Sequence, residues 1–235
     1  MQELIYGMSV IGGYLLSAAV IVLILRIFCR IPDELFRKIL HFILLGAYIP
    51  FVFSFETWWI SAAVAAGLGI LLYPLLQLAG RITAFSSFVN ERKQGEFKSS
   101  MVLALSVMAG SICICWGILG DRYLVLASVY AWGVGDAFAA LIGKPFGKHK
   151  IRWKYADSHK SWEGSAAMFV SSEIAVCAVL LCRGGLEMVG CVLIAAAAAF
   201  VSTVVELCTK NGFDTVSCPS AAMLVMIPLM KLFGG

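Results

Sequence analysis

Apolar runs of membrane-crossing length recur from one end of this chain to the other, and they exclude most folds. A hydrocarbon core of about 30 Å takes roughly 20 apolar residues as a helix. Eight stretches meet or approach that length: 4–28, 39–55, 58–79, 99–119, 122–143, 164–182, 186–207 and 216–233. The second is short and carries Pro50, and the eighth contains Pro219 and Pro228, so about eight helices, seven to nine, are expected. The runs are continuous rather than alternating, which predicts helices and not a barrel. With 61% hydrophobic and 14% charged residues and a mean hydropathy of +0.92, the chain leaves no loop large enough for a soluble domain. The expected fold is all-α, one polytopic transmembrane helix bundle over residues 1–235.

Charge gives this arrangement a direction. The connections after the first, third, fifth and seventh runs, with their flanks, carry fifteen of the eighteen Lys and Arg residues. Arg26, Arg30, Arg37 and Lys38 follow the first run, and Arg81, Arg92, Lys93 and Lys98 follow the third. The fifth is followed by Lys144, Lys148, Lys150, Arg152, Lys154 and Lys160, and the seventh by Lys210. Arg122, Arg183 and Lys231 alone fall on the other side. Positive charge stays in the cytoplasm, so these connections (29–38, 80–98, 144–163 and 208–216) are expected inside a cell membrane, with both termini outside. The first run opens on Glu3 without a basic flank or a small-residue cleavage site, and is expected to remain as a helix. None of the eight cysteines forms a CxxC pair, and within apolar helices cysteine packs as a small hydrophobe.

Against this background the intramembrane charges stand out. A lone carboxylate near bilayer depth costs about 2.5–3.5 kcal/mol, so it has a partner or a task. Asp136 lies within the fifth run on a thin face made by Gly133, Gly135, Ala139 and Gly143, where a neighbouring backbone can close on it. Beyond it, Gly143 and Gly147 are expected to let loop amides approach an anion, with Lys144 and Lys148 supplying charge. Lys160, Ser161, Glu163 and Gly164 open the sixth run, where free N–H groups and the helix dipole favour phosphate. No GxxxxGK[ST] sequence occurs, so this is not a Walker-type loop.

Three further candidates belong to the same side. Arg37, Lys38 and His41 fall within about 100° of one another around a helix and share a face. Glu96 opens the fourth run, and Glu206 with Gly212-Phe213-Asp214 ends the seventh. Glu96 could face the shared cytoplasmic site, while Glu206 and Asp214 with Asp136 suit one or two hard cations that keep phosphate oxygens as further ligands. Glu173, in mid-run, is given no role.

Taken together, RKILHF (37–42), GDAFAALIGKPFGKHK (135–150), KSWEGSAAMF (160–169) and the late Glu206…Gly212-Phe213-Asp214…Pro219 resemble the CTP-dependent polyprenol and lipid kinases. That family includes dolichol kinase, phytol kinase and the fungal-type diacylglycerol kinase. The resemblance runs from about Arg37 to Pro219 and departs from the family pattern at Thr215, where an asparagine is usual. It implies phosphoryl transfer from CTP to the hydroxyl of a membrane lipid alcohol, work done mainly by positioning and charge neutralisation. It implies Mg²⁺ on Asp136, with Asp214 or Glu206 as further carboxylates. Nucleotide phosphates would meet Lys144, Lys148, Lys160 and the Ser161 amide, flanked by Gly143, Gly147, Glu163 and Gly164. Arg37, Lys38 and His41 would touch phosphate or the acceptor hydroxyl.

Expected partners are a lipid alcohol, a nucleotide and the bilayer, with no nucleic acid; a homo-oligomer is left open. Phosphatidate cytidylyltransferase shares the GD…GK…KS-x-EG block and is the nearest rival, although its acidic and basic C-terminal signature is missing. A small transporter is the third reading. Transport sites favour discontinuous helices near the midplane, whereas the charges here gather on one side.

Overall fold

The computed structural model describes residues 1–29, 31–82, 95–153, 160–209 and 212–234. Among these residues the fold is all-α, with no strand and eight helices, each long and apolar enough to cross a membrane. They are α1 (Gln2–Phe28), α2 (Asp33–Phe53), α3 (Trp58–Ala79), α4 (Glu96–Ile118), α5 (Arg122–Phe146), α6 (Trp162–Arg183), α7 (Met188–Cys208) and α8 (Asp214–Leu232). Arg30, Arg92, Lys93, Lys154 and Lys210, counted above for charge, lie outside the described residues.

Helix ends differ from expectation where polar residues extend an apolar run. Helix α2 begins six residues before the expected start, because Asp33 and Glu34 occupy its first turn after Pro32. Acidic side chains there complement the helix dipole, and Arg37, Lys38 and His41 lie on this helix, as their expected shared face requires. Helix α5 runs on to Phe146, so Gly143 and Lys144 are helical too. Helix α4 ends in a wide π turn, Ile112–Ile118, in which the Leu119 amide reaches the Ile114 carbonyl at 3.1 Å.

The chain divides into two compact units, Met1–Arg122 and Tyr123–Gly235. In the first, polar groups tie helix to helix. The Glu3 carboxylate of α1 accepts hydrogen bonds from the amides of Glu56 (2.9 Å) and Thr57 (2.8 Å) and from the Thr57 hydroxyl (3.1 Å). Thr57 caps α3, so a carboxylate on another helix satisfies amides that α3 itself leaves without partners. The Tyr14 hydroxyl donates to the Ile43 carbonyl of α2 at 2.5 Å, and that of Tyr48 donates to Ala104 of α4 at 3.3 Å.

The second unit is organised by a stripe of small residues. Gly135, Ala139 and Gly143 on α5 meet Gly164, Met168 and Ser172 on α6, both sets spaced four residues apart along one helix face. A Cβ at Gly135 would fall 2.2 Å from the Ser172 oxygen, and one at Gly164 would fall 3.1 Å from both the Ala139 carbonyl and the Gly143 Cα. The thin face expected on α5 is therefore in backbone contact with α6. There the Ser172 hydroxyl donates to the Ala131 carbonyl at 2.6 Å. Helix α7 packs between α6 and α8 and buries Ala195, Ala198, Ala199 and Ser202.

Gly135→Ala should destabilise the protein by about 1–3 kcal/mol, because the methyl overpacks a closed interface. Thermal unfolding in detergent measures this. Gly110→Ala, where an added Cβ meets nothing within 4 Å, should leave the midpoint unchanged or slightly raised.

Candidate functional site

Four of the expected site regions fall in the second unit, and its helices bring several of their residues together. Asp136 is half-buried on α5, one residue beyond the Gly135 contact. One turn earlier on the same face, the indole N–H of Trp132 donates to the Asp214 carboxylate at 3.1 Å. Asp214 is the first residue of α8, reached after Gly212, whose φ of +81° suits glycine. Trp132 thus sets Asp214 against the face of α5 that carries Asp136. The buried thiol of Cys218, one turn into α8, lies within electrostatic reach of Asp214, Lys160 and Asp136.

Glu206 is placed differently from the sequence expectation. Its carboxylate, 4% exposed, forms an ion pair with the Lys160 ammonium, which keeps 30% of its side-chain surface exposed. A buried carboxylate is tolerated where a cation answers it, and Lys160 supplies that cation. Among the described residues, no group of three His, Cys, Asp or Glu side chains is arranged to hold a metal. The three-carboxylate set of Asp136, Asp214 and Glu206 is therefore not assembled.

The glycine-and-lysine segment also differs in its local chemistry. The Gly147 amide is spent on the Gly143 carbonyl at 3.1 Å, so it closes the last turn of α5 instead of facing an anion. Both glycines serve close approach. A Cβ at Gly147 would lie 2.4 Å from the Ser161 hydroxyl, and one at Gly143 would lie 3.1 Å from the Gly164 Cα. Ser161 is buried and caps α6, its hydroxyl accepting from the Gly164 amide at 3.2 Å. The Trp162 amide donates to the His149 carbonyl at 3.0 Å. Two amides of the α6 N-terminus are therefore engaged within the protein. Lys144 and Lys148 are exposed.

Residues 147–153 fold back on the start of α6. The Ile151 amide donates to the Lys160 carbonyl at 3.0 Å, and Lys150 and Ser161 form an isolated antiparallel bridge. Glu163 holds His149 twice, through the ring Nδ1 at 2.6 Å and the backbone amide at 3.1 Å. Sequence reasoning missed Trp132 and His149. Trp132 stands four residues before Asp136, a spacing that would have suggested it; nothing in the sequence joins His149 to Glu163.

Arg37, Lys38 and His41 belong to the first unit. Arg37 bridges Glu34 at 3.4 Å and Glu96 at 3.9 Å, so Glu96 turns toward the α2 cluster. Lys38 is buried and His41 half-buried on the same helix.

Known proteins similar to this chain carry two names. A phytol kinase of Synechocystis sp. is 24% identical over 196 residues, 83% of this chain and 78% of the relative. A dolichol kinase of Mus musculus is 29% identical over 167 residues, 65% of this chain. This chain is thus similar to phytol and dolichol kinases. A probable chloroplastic phytol kinase of Zea mays adds 26% identity over 215 residues, 86% of this chain and 68% of that protein. The match covers most of the phytol kinases but 30% of the mouse dolichol kinase. No family model matches the chain, and no solved structure does.

The Lys160–Glu206 pair makes a measurable statement about the site. Glu206→Ala or Lys160→Ala should each destabilise the protein, the former by about 3 kcal/mol, since removing one partner strands the other. The double variant should lose less than the two single losses combined, giving a coupling of about 0.5–3 kcal/mol in a thermal-unfolding cycle.

Proposed function

We propose that this protein is a CTP-dependent kinase that phosphorylates the hydroxyl of a membrane lipid alcohol of the phytol or polyprenol type. The observation that carries the reading is the similarity to phytol kinases across more than four-fifths of the chain. The second unit supports it, because Trp132 of α5 holds the Asp214 carboxylate against the helix that carries Asp136, and Glu206 fixes Lys160.

In this reading the acceptor's tail lies among the helices and its hydroxyl attacks the terminal phosphorus of CTP. A bond forms between the hydroxyl oxygen and that phosphorus, the bond to the bridging oxygen breaks, CDP leaves and the hydroxyl proton is released. Little covalent help is needed from the protein; holding the reactants in line and answering their charge are its tasks. Lys160, set in place by Glu206, is assigned to the phosphates with Lys144 and Lys148. Arg37, Lys38 and His41 are assigned to phosphate or to the acceptor hydroxyl.

The carboxylates fit magnesium. Asp136 and Asp214 offer hard oxygen ligands, and magnesium is commonly held by one or two carboxylates together with substrate phosphates. When bound, it would neutralise charge on the triphosphate. Glu206 is left to Lys160. The basic connections face the cytoplasm of a cell membrane in this proposal, following the distribution of fifteen of eighteen cations.

Purified protein given CTP, magnesium and a panel of lipid alcohols should transfer label from the γ-position into the lipid. Label from the α-position appearing in lipid with release of pyrophosphate would overturn the kinase in favour of a cytidylyltransferase. Asp136→Asn should lower turnover by at least a hundredfold while leaving thermal unfolding near wild type, on the scale of losing charge stabilisation at a transition state. Retained turnover would remove Asp136 from the mechanism.

A further inference from the structure

Helix α8 does not aim its own first carboxylate. Asp214 is half-buried in the first turn, the N-cap residue is Phe213, and no side-chain bond caps the helix. Among the described residues, the donor that reaches the Asp214 carboxylate belongs to another helix, 82 residues earlier: the indole N–H of Trp132, 3.1 Å from Oδ2. Both partners of this bond are seated. Trp132 is 7% exposed on α5, and α8 is tied to α7 one turn further on, where the Cys218 thiol donates to the Ser202 carbonyl at 3.6 Å. The indole therefore decides which way the carboxylate faces and which of its oxygens is engaged.

An indole can only donate, and it carries no charge to cancel. Its hydrogen, partly positive, opposes a cation at the oxygen it occupies. Asp214 is thus left to meet a cation through Oδ1, with one oxygen rather than two. Divalent cations answer this restriction differently. Calcium gathers about six to eight oxygens and readily takes both oxygens of one carboxylate. Magnesium is smaller, demands an octahedral shell, and keeps waters and phosphate oxygens beside one or two carboxylates. A carboxylate held to a single free oxygen therefore costs calcium more than magnesium. Glu206 offers no such choice, since an ammonium already answers it.

We infer that Trp132 is a positioning residue that sets the cation preference of the site, turning Asp214 into a one-oxygen ligand suited to magnesium and poor for calcium. The inference rests on the kinase reading above, in which Asp136 and Asp214 meet the metal that accompanies CTP. It adds a residue that touches neither metal nor nucleotide and acts through the carboxylate it orients.

Binding without turnover tests it. Affinity for CTP is measured on purified protein without lipid alcohol, in magnesium, in calcium and in EDTA, with thermal unfolding as the check on folding. In the wild type magnesium should tighten CTP binding roughly tenfold or more over EDTA, and calcium should do so less, on the scale of groups that orient metal ligands. Trp132→Phe keeps an aromatic ring without the donor. It should leave affinity in EDTA unchanged, lose most of the magnesium gain and bring calcium level with magnesium. Trp132→Gln places an N–H donor at the same bond distance from Cα as the indole nitrogen, and should restore the preference for magnesium.

A wild type in which calcium matches magnesium overturns the inference without any variant. So does a Trp132→Phe protein that keeps the magnesium preference, or one that loses affinity equally in all three conditions, which would report packing alone. A wild type with the expected Trp132 dependence that phosphorylates no lipid alcohol would sink the kinase reading and leave the role of Trp132 standing. Phosphorylation of a lipid alcohol by a protein whose cation preference ignores Trp132 would do the reverse. A wild type that binds no CTP sinks both.

Discussion

The second unit depends on one constraint, the approach of α5 to α6 at backbone distance. In a membrane, helices gain little from excluding water against one another, and small residues that let backbones touch supply much of the association. Gly135, Gly143 and Gly164 do this here: a Cβ at Gly135 would overlap the Ser172 oxygen, and one at Gly143 or Gly164 would press on the opposing backbone at 3.1 Å. The consequence is positional. The contact at Gly135 sets the neighbouring Asp136, and the contact of Gly143 and Gly147 with Ser161 sets the cap from which Lys160 and Trp162 project on either side. The glycines that resemble a phosphate loop in sequence therefore act first as a hinge plate between two helices.

Charge is then distributed on that frame. The two carboxylates whose partners define the unit have different donors. Glu206 is met by an ammonium, so its charge is answered inside the protein. Asp214 is met by the neutral indole of Trp132, which orients the carboxylate without cancelling its charge. In the proposed reaction, a cation arriving with the substrate would meet an uncancelled charge at Asp214 and a paired one at Glu206. The difference between the two acidic residues follows from their donors alone.

Much of the fold was legible because membrane crossing ties structure to length and hydropathy. All eight apolar runs became helices, and none was missed among the described residues. Helix ends were less legible. Asp33, Glu34, Lys144 and Pro145 are polar or helix-breaking by composition, yet they lie within helices because a first turn welcomes acids and a last turn tolerates lost bonds. In the candidate site, the small-residue face beside Asp136 was readable from its four-residue spacing. The partners were not. That Glu206 answers Lys160, 46 residues earlier, and that Trp132 answers Asp214, 82 residues later, are tertiary facts that no local pattern encodes.

The same reasoning explains why the basic loop should be read as two devices and not one. Lys160 is a single cation fixed by a buried carboxylate, so its position is expensive to change. Lys148 and Arg152 are exposed, and an exposed cation gains little from any single surface partner and keeps its freedom to follow a ligand. Phosphoryl transfer needs both behaviours. Charge near the reacting phosphorus must stand ready before the transition state, because reorganising it at that moment would raise the barrier. Charge that first gathers a triphosphate works over distance and profits from mobility. In the proposed reaction these demands would be met by Lys160, pinned by Glu206, and by its exposed neighbours Lys148 and Arg152 across the turn.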